Sequence, residues 1–167
     1  MVSDLEAVAE AAAGGRPLGL MAAEHMAIPA LAFAARNPAR VGALVLWLGV
    51  SRAEDMFGGR MAAMLDLARS DWEFAKETVS HTVGFDSAAA GRAFHQLADE
   101  AATQESYIAF METMRRWDVT EQLSRVEVPA LVLGRRDFRL IPIEKIRSLA
   151  AALRRGNSSS WRVRRRR

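Results

Sequence analysis

The sequence predicts an α/β protein with a short parallel sheet flanked by helices, and three observations support this fold class. Two apolar runs, residues 43–49 and 128–134, contain no charged side chain, which is typical of strands buried on both faces of a parallel sheet. A shorter run of the same kind covers residues 17–22. Helical patterns separate the three runs, and strands that alternate with helices form parallel sheets with right-handed crossovers.

The helices around these strands have recognisable ends. A first helix is predicted over residues 4–13, where Gly14 and Gly15 stop it. A second, alanine-rich helix is predicted over residues 25–37, with Pro29 near its first turn, where a missing N–H costs little. Pro142 opens a last helix that continues through Leu153.

The segment between the second and third strands contains no convincing strand. Helical patterns predict five helices in this segment, over residues 53–68, 71–81, 88–101, 104–116 and, in a short piece, 119–123. Such a block is interpreted as a helical cap, at about residues 51–124, inserted over one edge of the sheet. The domain prediction is therefore one α/β domain, residues 1–155, followed by a disordered basic tail, residues 156–167.

The net charge of +3 is concentrated in this tail. Seven arginines and no acid follow Leu153, and the rest of the chain has 16 basic and 20 acidic residues. A nucleic-acid-binding domain would instead spread basic residues over a folded face. Nucleic acid is therefore not expected as a partner.

Other classes are disfavoured by composition. The longest apolar run, residues 41–50, is far below the roughly 20 residues of a membrane span. The chain starts with an acidic rather than a basic segment, so no signal peptide is expected. The absence of cysteine excludes disulfides and thiolate metal sites. A cytoplasmic protein without cofactor, metal site or membrane partner is predicted.

Several segments resemble the α/β hydrolases. Residues 20–46 resemble the family's central strand–elbow–helix–strand unit, above all Ala-Leu-Ala-Phe-Ala-Ala-Arg-Asn-Pro-Ala-Arg-Val at 30–41 and Ala-Leu-Val-Leu at 43–46. Trp-Asp-Val-Thr at 117–120, Val-Pro-Ala-Leu-Val-Leu at 128–133 and Leu-Ile-Pro-Ile-Glu at 140–144 resemble the stretch that carries the family's catalytic acid. These segments are similar to the hydrolase-like domains that are fused to bacterial regulators or cyclases. The resemblance implies a truncated, partial α/β-hydrolase fold.

The resemblance also locates the position of the nucleophile. The family's elbow is Gly-x-Ser-x-Gly, with the serine on a strained turn. Counting back from Pro38 puts Ala22, Glu24 and Met26 at the three fixed positions. With no glycine there, a relaxed and wider turn is expected. Glu24 could imitate the aspartate nucleophile of dehalogenases and epoxide hydrolases, but a solvated residue at the helix start is favoured.

The other triad members are equally incomplete. The family's histidine follows the acid, whereas His25, His81 and His95 all precede it. Asp137 is the only candidate for a vestigial acid. The favoured role is a loop residue paired with a neighbouring arginine: Arg135, Arg136 or Arg139. Loss of nucleophile and base together costs on the order of 10⁶-fold in rate.

The histidines suggest no other chemistry. His25 and Glu24 are neighbours on a turn and are expected to point apart, which disfavours His25 as a general base. His81 and His95 are 14 residues apart, which is not a metal-ligand pattern. The degenerate triad predicts a non-catalytic ligand-binding or interaction module. The alternatives are a hydrolase or esterase that works as half of a split enzyme or with a substituted nucleophile, and a gene remnant.

Two features bear on partners. The cap is rich in methionine and tryptophan, which could line a pocket for a small apolar ligand in the cap–sheet crevice, although packing in the core is the favoured role: Met56, Met61, Met64, Trp72, Met111, Met114, Trp117. Residues 18–22 are expected to form an unpaired apolar edge. The edge predicts a homo-oligomer or a complementing N-terminal hydrolase half.

Overall fold

The computed structural model describes residues 2–85, 87–136, 138–153 and 156–161. A four-stranded parallel sheet lies at its centre, and its strands follow one another in chain order. The strands are β1 Leu18–Ala23, β2 Val41–Trp47, β3 Ala130–Arg135 and β4 Gly156–Trp161. The α/β class, the parallel sheet and the three predicted strands are confirmed.

The described residues form seven α-helices. They are α1 Val2–Ala13, α2 Ala27–Arg36, α3 Met61–Ser70, α4 Trp72–Val83, α5 Ala88–Ala101, α6 Gln104–Met114 and α7 Ile143–Ala152. Short 3₁₀ turns connect them, at Glu24–Met26, Pro38–Arg40, Ala53–Gly59 and Thr120–Arg125. Helices α3 to α6 lie between β2 and β3 in the chain, where the sequence predicts the cap. These four helices are called the cap below. None of the helices in the described ranges combines the length and apolarity that a bilayer crossing requires.

One predicted helix is split in two. The helix expected over residues 53–68 is a 3₁₀ turn up to Gly59, followed by α3 from Met61. Gly59 has a φ of +83°, a left-handed conformation that ends a helical run and that glycine adopts at little cost. The glycine pair therefore divides the first cap helix.

The core is built around α2 and the sheet. Eight of the ten residues of α2 are buried, and Phe33 is the largest fully buried side chain of the described residues. Leu44 and Leu46 of β2 are at most 1% exposed. Alanines on α2 let the helix approach the sheet closely. Helix α7 packs equally closely against β3, because a Cβ on Gly134 would lie only 2.6 Å from Cδ1 of Ile143.

The methionines of the cap pack in this core. Five of them are less than 9% exposed and belong to the hydrophobic cluster: Met56, Met61, Met64, Met111 and Met114. The core-packing interpretation is confirmed for these five. Trp72 and Trp117 are only half-buried and line cavities.

The end of the described chain differs from the prediction. Residues 156–161 were expected to be disordered, but Gly156–Trp161 forms β4, paired in parallel with all six residues of β3. The expectation rested on the polar, serine-rich composition. An edge strand needs only main-chain partners, however, and β3 supplies N–H and C=O groups along one side. Residues 162–167 lie outside the described part of the chain.

Candidate functional site

The turn after β1 keeps the geometry of a nucleophile elbow. Glu24 has a φ of +50°, although no glycine flanks it, so the expectation of a relaxed turn is wrong. A left-handed φ costs a non-glycine residue about 1–2 kcal/mol. The turn is held because Ala22 before it and Ala27 after it are buried in the core. Packing on both sides, rather than local sequence, imposes the strain.

Glu24 is not a fully solvated cap residue. Its side chain is half-buried, and burial raises the pKa of the carboxyl above its ordinary value. It makes no capping hydrogen bond to the turn or to α2, and no described residue forms an ion pair with it. The position that the resemblance assigns to the nucleophile thus holds an isolated, partly desolvated carboxyl.

His25 points towards the cap. Its ring meets the edge of Phe110 in α6, with the ring centroids 5.5 Å apart at an angle of 66°. Its Nδ1 is buried and has no hydrogen-bond partner among the described residues. Burial lowers the pKa of the imidazole, so the ring is neutral at pH 7. His25 and Glu24 are adjacent in sequence without a hydrogen bond between their side chains.

The structure brings the other two histidines together in the cap. His81 of α4 and His95 of α5 line one open cavity of about 530 Å³, next to Ser80 and Arg92. Nε2 of His81 lies 3.8 Å from Oε1 of Glu77. The spacing of 14 residues between His81 and His95 in the sequence does not predict that they line the same cavity. Within the described ranges, no group of three or more metal-ligating side chains forms, and no histidine ring hydrogen-bonds a serine hydroxyl.

The loop after β3 contacts the cap. Asp137, the candidate vestigial acid, lies outside the described residues. The guanidinium of Arg135 lies 5.0 Å from the centre of the Phe138 ring and reaches the C-terminal end of α4. A Cβ on Gly84, whose φ is +96°, would be 2.9 Å from Nη2 of Arg135. This contact joins the carboxyl end of the sheet to the cap.

A groove separates the sheet layer from the cap. Its cavity of about 690 Å³ lies between α2 and α6, near the start of α1. Ile28, Ala32, Phe110 and Trp117 give it an apolar lining, while two exposed arginines, Arg36 and Arg116, stand at its rim: together they define the α2–α6 groove. Sequence reasoning singled out Trp117 but neither arginine, because nothing in the sequence places the end of α2 beside the end of α6.

The free edge of β1 is apolar. Among the described residues β1 pairs only with β2. Met21 of β1 is 69% exposed and Val8 of α1 is 63% exposed, and both line a second open cavity of about 550 Å³. The unpaired apolar edge expected from the sequence is present.

The strain at the elbow leads to a prediction. Replacing Glu24 by glycine should raise the free energy of unfolding by about 0.5–1 kcal/mol, because relief of the left-handed φ exceeds the extra chain freedom that glycine loses. Ala23→Gly, at a φ of −111°, serves as the control and should lower stability. Urea denaturation measures both. Equal losses in the two variants would contradict a strained turn.

Comparisons with known proteins agree with this architecture. An esterase from Exiguobacterium antarcticum matches with a TM-score of 0.79 and 16% identity, over 96% of this chain and 63% of the esterase. An α/β-hydrolase enzyme from a Medee basin deep-sea metagenome library matches with a TM-score of 0.77 and 17% identity, over 96% and 62%. A thermophilic esterase from Thermogutta terrifontis matches with a TM-score of 0.73 and 18% identity, over 96% and 62%.

No family model and no curated protein matches the sequence. The chain spans less than two thirds of the length of the three structures above. The matched 96% of this chain includes the parallel sheet and the helices around it. The chain therefore has a partial α/β-hydrolase fold.

Proposed function

We propose that this chain is a non-catalytic ligand-binding module built on the α/β-hydrolase fold. The observation that carries the proposal is the elbow, where Glu24 stands alone and His25 is turned towards Phe110. An acyl-transfer nucleophile needs a base at about 2.6–3.2 Å. The described residues contain no serine–histidine pair in such contact. The strained turn remains, without the chemistry that such strain serves in hydrolases.

The α2–α6 groove is the proposed binding site. Its volume of about 690 Å³ lies within the roughly 300–1,000 Å³ of small-molecule pockets. The guanidinium groups of Arg36 and Arg116 have no ion pair with a described residue. The nearby carboxylate of Asp118 already accepts a hydrogen bond from the N–H of Thr120. An apolar floor with unpaired cations at the rim favours a molecule with an apolar body and one acidic group.

Dodecanoate is a suitable probe. Titration followed by calorimetry should show saturable binding. Combining Arg36→Gln with Arg116→Gln should weaken binding about thirtyfold, because two lost charge-assisted hydrogen bonds contribute on the order of 1 kcal/mol each. Ala109→Trp, which fills the groove from an exposed position on α6, should abolish it. The matched control, Ala62→Trp on α3, should bind as the wild type does. Unchanged binding in Ala109→Trp would refute this site.

The proposed absence of catalysis is tested by ester hydrolysis. Purified protein is expected to hydrolyse p-nitrophenyl acetate no faster than the Glu24→Ala variant does. Both rates should equal that of buffer with a denatured sample. Turnover by the wild type that Glu24→Ala removes would establish a carboxylate nucleophile and overturn the proposal.

The second candidate is one part of an active hydrolase, completed by a further segment or chain. The specific observation is the β1 edge, which offers main-chain partners and an apolar surface to another strand. Either this completion or a homo-oligomer would cover Met21. We expect concentration-dependent association in sedimentation velocity, reduced by Met21→Lys but not by Leu131→Lys on β3, where the leucine is 39% exposed. A wild-type protein that stays monomeric at high concentration would exclude the homo-oligomer.

A further inference from the structure

The cap contains a cavity of its own, separate from the α2–α6 groove. A half-open cavity of about 260 Å³ lies between α4, α5 and α6, entirely within residues 72–107. Its walls are apolar, and they include an aromatic pair, Trp72 and Tyr107, whose ring centroids are 5.0 Å apart. Phe94 and Ala98 of α5 form the opposite wall. We refer to this space as the cap cavity.

The helix that covers the cap cavity is poorly packed. α5 has an apolar stripe that includes Phe94, Leu97 and Ala98, all facing the cavity, yet no residue of α5 is buried. Leu97 is 63% exposed. An amphipathic helix in a soluble domain derives most of its stability from burying its apolar stripe. Phe94 packs against Phe85, with the ring centroids 5.5 Å apart, while the rest of this stripe borders the cavity.

The cap cavity offers no unpaired charge. Lys76, whose side chain is 3% exposed, contributes its methylene groups to the wall. Its ammonium forms ion pairs with Asp99 and, at 2.8 Å, with Glu73. Burial also raises the pKa of the Tyr107 hydroxyl to about 12, so no phenolate forms at neutral pH. An ionic ligand would lose its hydration without gaining a counter-charge.

We propose that the cap cavity binds a small uncharged apolar molecule, of the size of a monocyclic aromatic or a short alkyl chain, and that α5 packs onto it. An apolar cavity of about 150 Å³ is sufficient for benzene and stays dry when empty. The cap cavity is larger, is open on one side and has aromatic walls. Ligand binding here fills the space below the apolar stripe of α5 and stabilises that helix.

Toluene is the probe, and ¹H–¹⁵N NMR with amide hydrogen exchange is the measurement. Saturable shifts should appear around the cap cavity, and the exchange of α5 amides should slow at least threefold on binding. Ala98→Leu, which fills the cavity from α5, should weaken binding at least tenfold. Ala93→Leu, on the exposed face of the same helix, is the matched control and should bind toluene normally.

Further experiments distinguish binding in the cap cavity from binding in the α2–α6 groove. Ala101→Leu blocks the same cavity from an exposed position and replaces Ala98→Leu if that variant does not fold. Benzoate should not compete with toluene, and Ala109→Trp in the α2–α6 groove should leave toluene binding intact. Absence of saturable shifts, or equal binding by Ala98→Leu, Ala101→Leu and Ala93→Leu, would overturn the proposal.

Discussion

Replacing Phe33 by alanine should lower the free energy of unfolding by about 3–5 kcal/mol, because truncation of a fully buried phenylalanine loses its transfer energy and leaves a cavity. Phe33 is 1% exposed and lies on α2, the helix that connects the elbow to the core. Urea denaturation followed by circular dichroism at 222 nm measures the change.

Phe74→Ala is the matched control for this truncation. Phe74 lies on α4 of the cap and is 54% exposed, so its replacement should change stability by about 0.5 kcal/mol or less. The difference between the two variants should therefore exceed 2 kcal/mol. Similar losses would mean that α2 is not the centre of the core.

The ion pairs of Lys76 give the second large effect. Glu73→Gln combined with Asp99→Asn should destabilise the protein by about 2–3 kcal/mol, because a charged ammonium would stay buried without a counter-charge. This is less than the roughly 3–5 kcal/mol of fully buried pairs, since Glu73 and Asp99 are 74% and 57% exposed. Lys76→Met should cost about 1 kcal/mol or less, because it removes the charge and keeps the volume. A larger loss of stability in Lys76→Met than in the double variant Glu73→Gln/Asp99→Asn would disprove this account.

The ion pairs of Lys76 also make the stability of the protein depend on pH. Burial alone would lower the pKa of Lys76, but its hydrogen bonds to Asp99 and Glu73 and their charges outweigh burial and raise it. A raised folded-state pKa gives stability that is complete below the unfolded value of about 10.4 and is lost as the pH rises further. Tyr107 acts in the same direction, so the test uses a Tyr107→Phe background. The loss of stability above pH 10 should disappear when Lys76→Met is added.

The strands show what the sequence alone could specify. β1, β2 and β3 were predictable in position because each is an unbroken apolar run, which is visible without the structure. The expected burial on both faces is wrong, since Met21, Trp47 and Leu131 are exposed in the described part of the chain. β4 was not predictable, because the hydrogen-bonding side of β3 accepts a polar strand as readily as an apolar one. Composition reports side-chain burial and not main-chain pairing.

The candidate site was predictable in position but not in geometry. The spacing from Pro38 located Glu24 correctly at the turn after β1, yet the left-handed φ there comes from tertiary packing and not from local residue preference. His81 and His95 line one cavity, and Arg36 and Arg116 line another, because of how the helices cross. Residues far apart in sequence give no indication of such a shared cavity.

The two borders of the sheet are chemically unequal, and this limits how copies of the protein can assemble. Two molecules that join through β1 would each contribute the same border, because a contact between identical patches is related by a twofold axis. That contact uses the β1 border of both copies. We therefore expect association through β1 alone to stop at a closed pair instead of growing into a fibre.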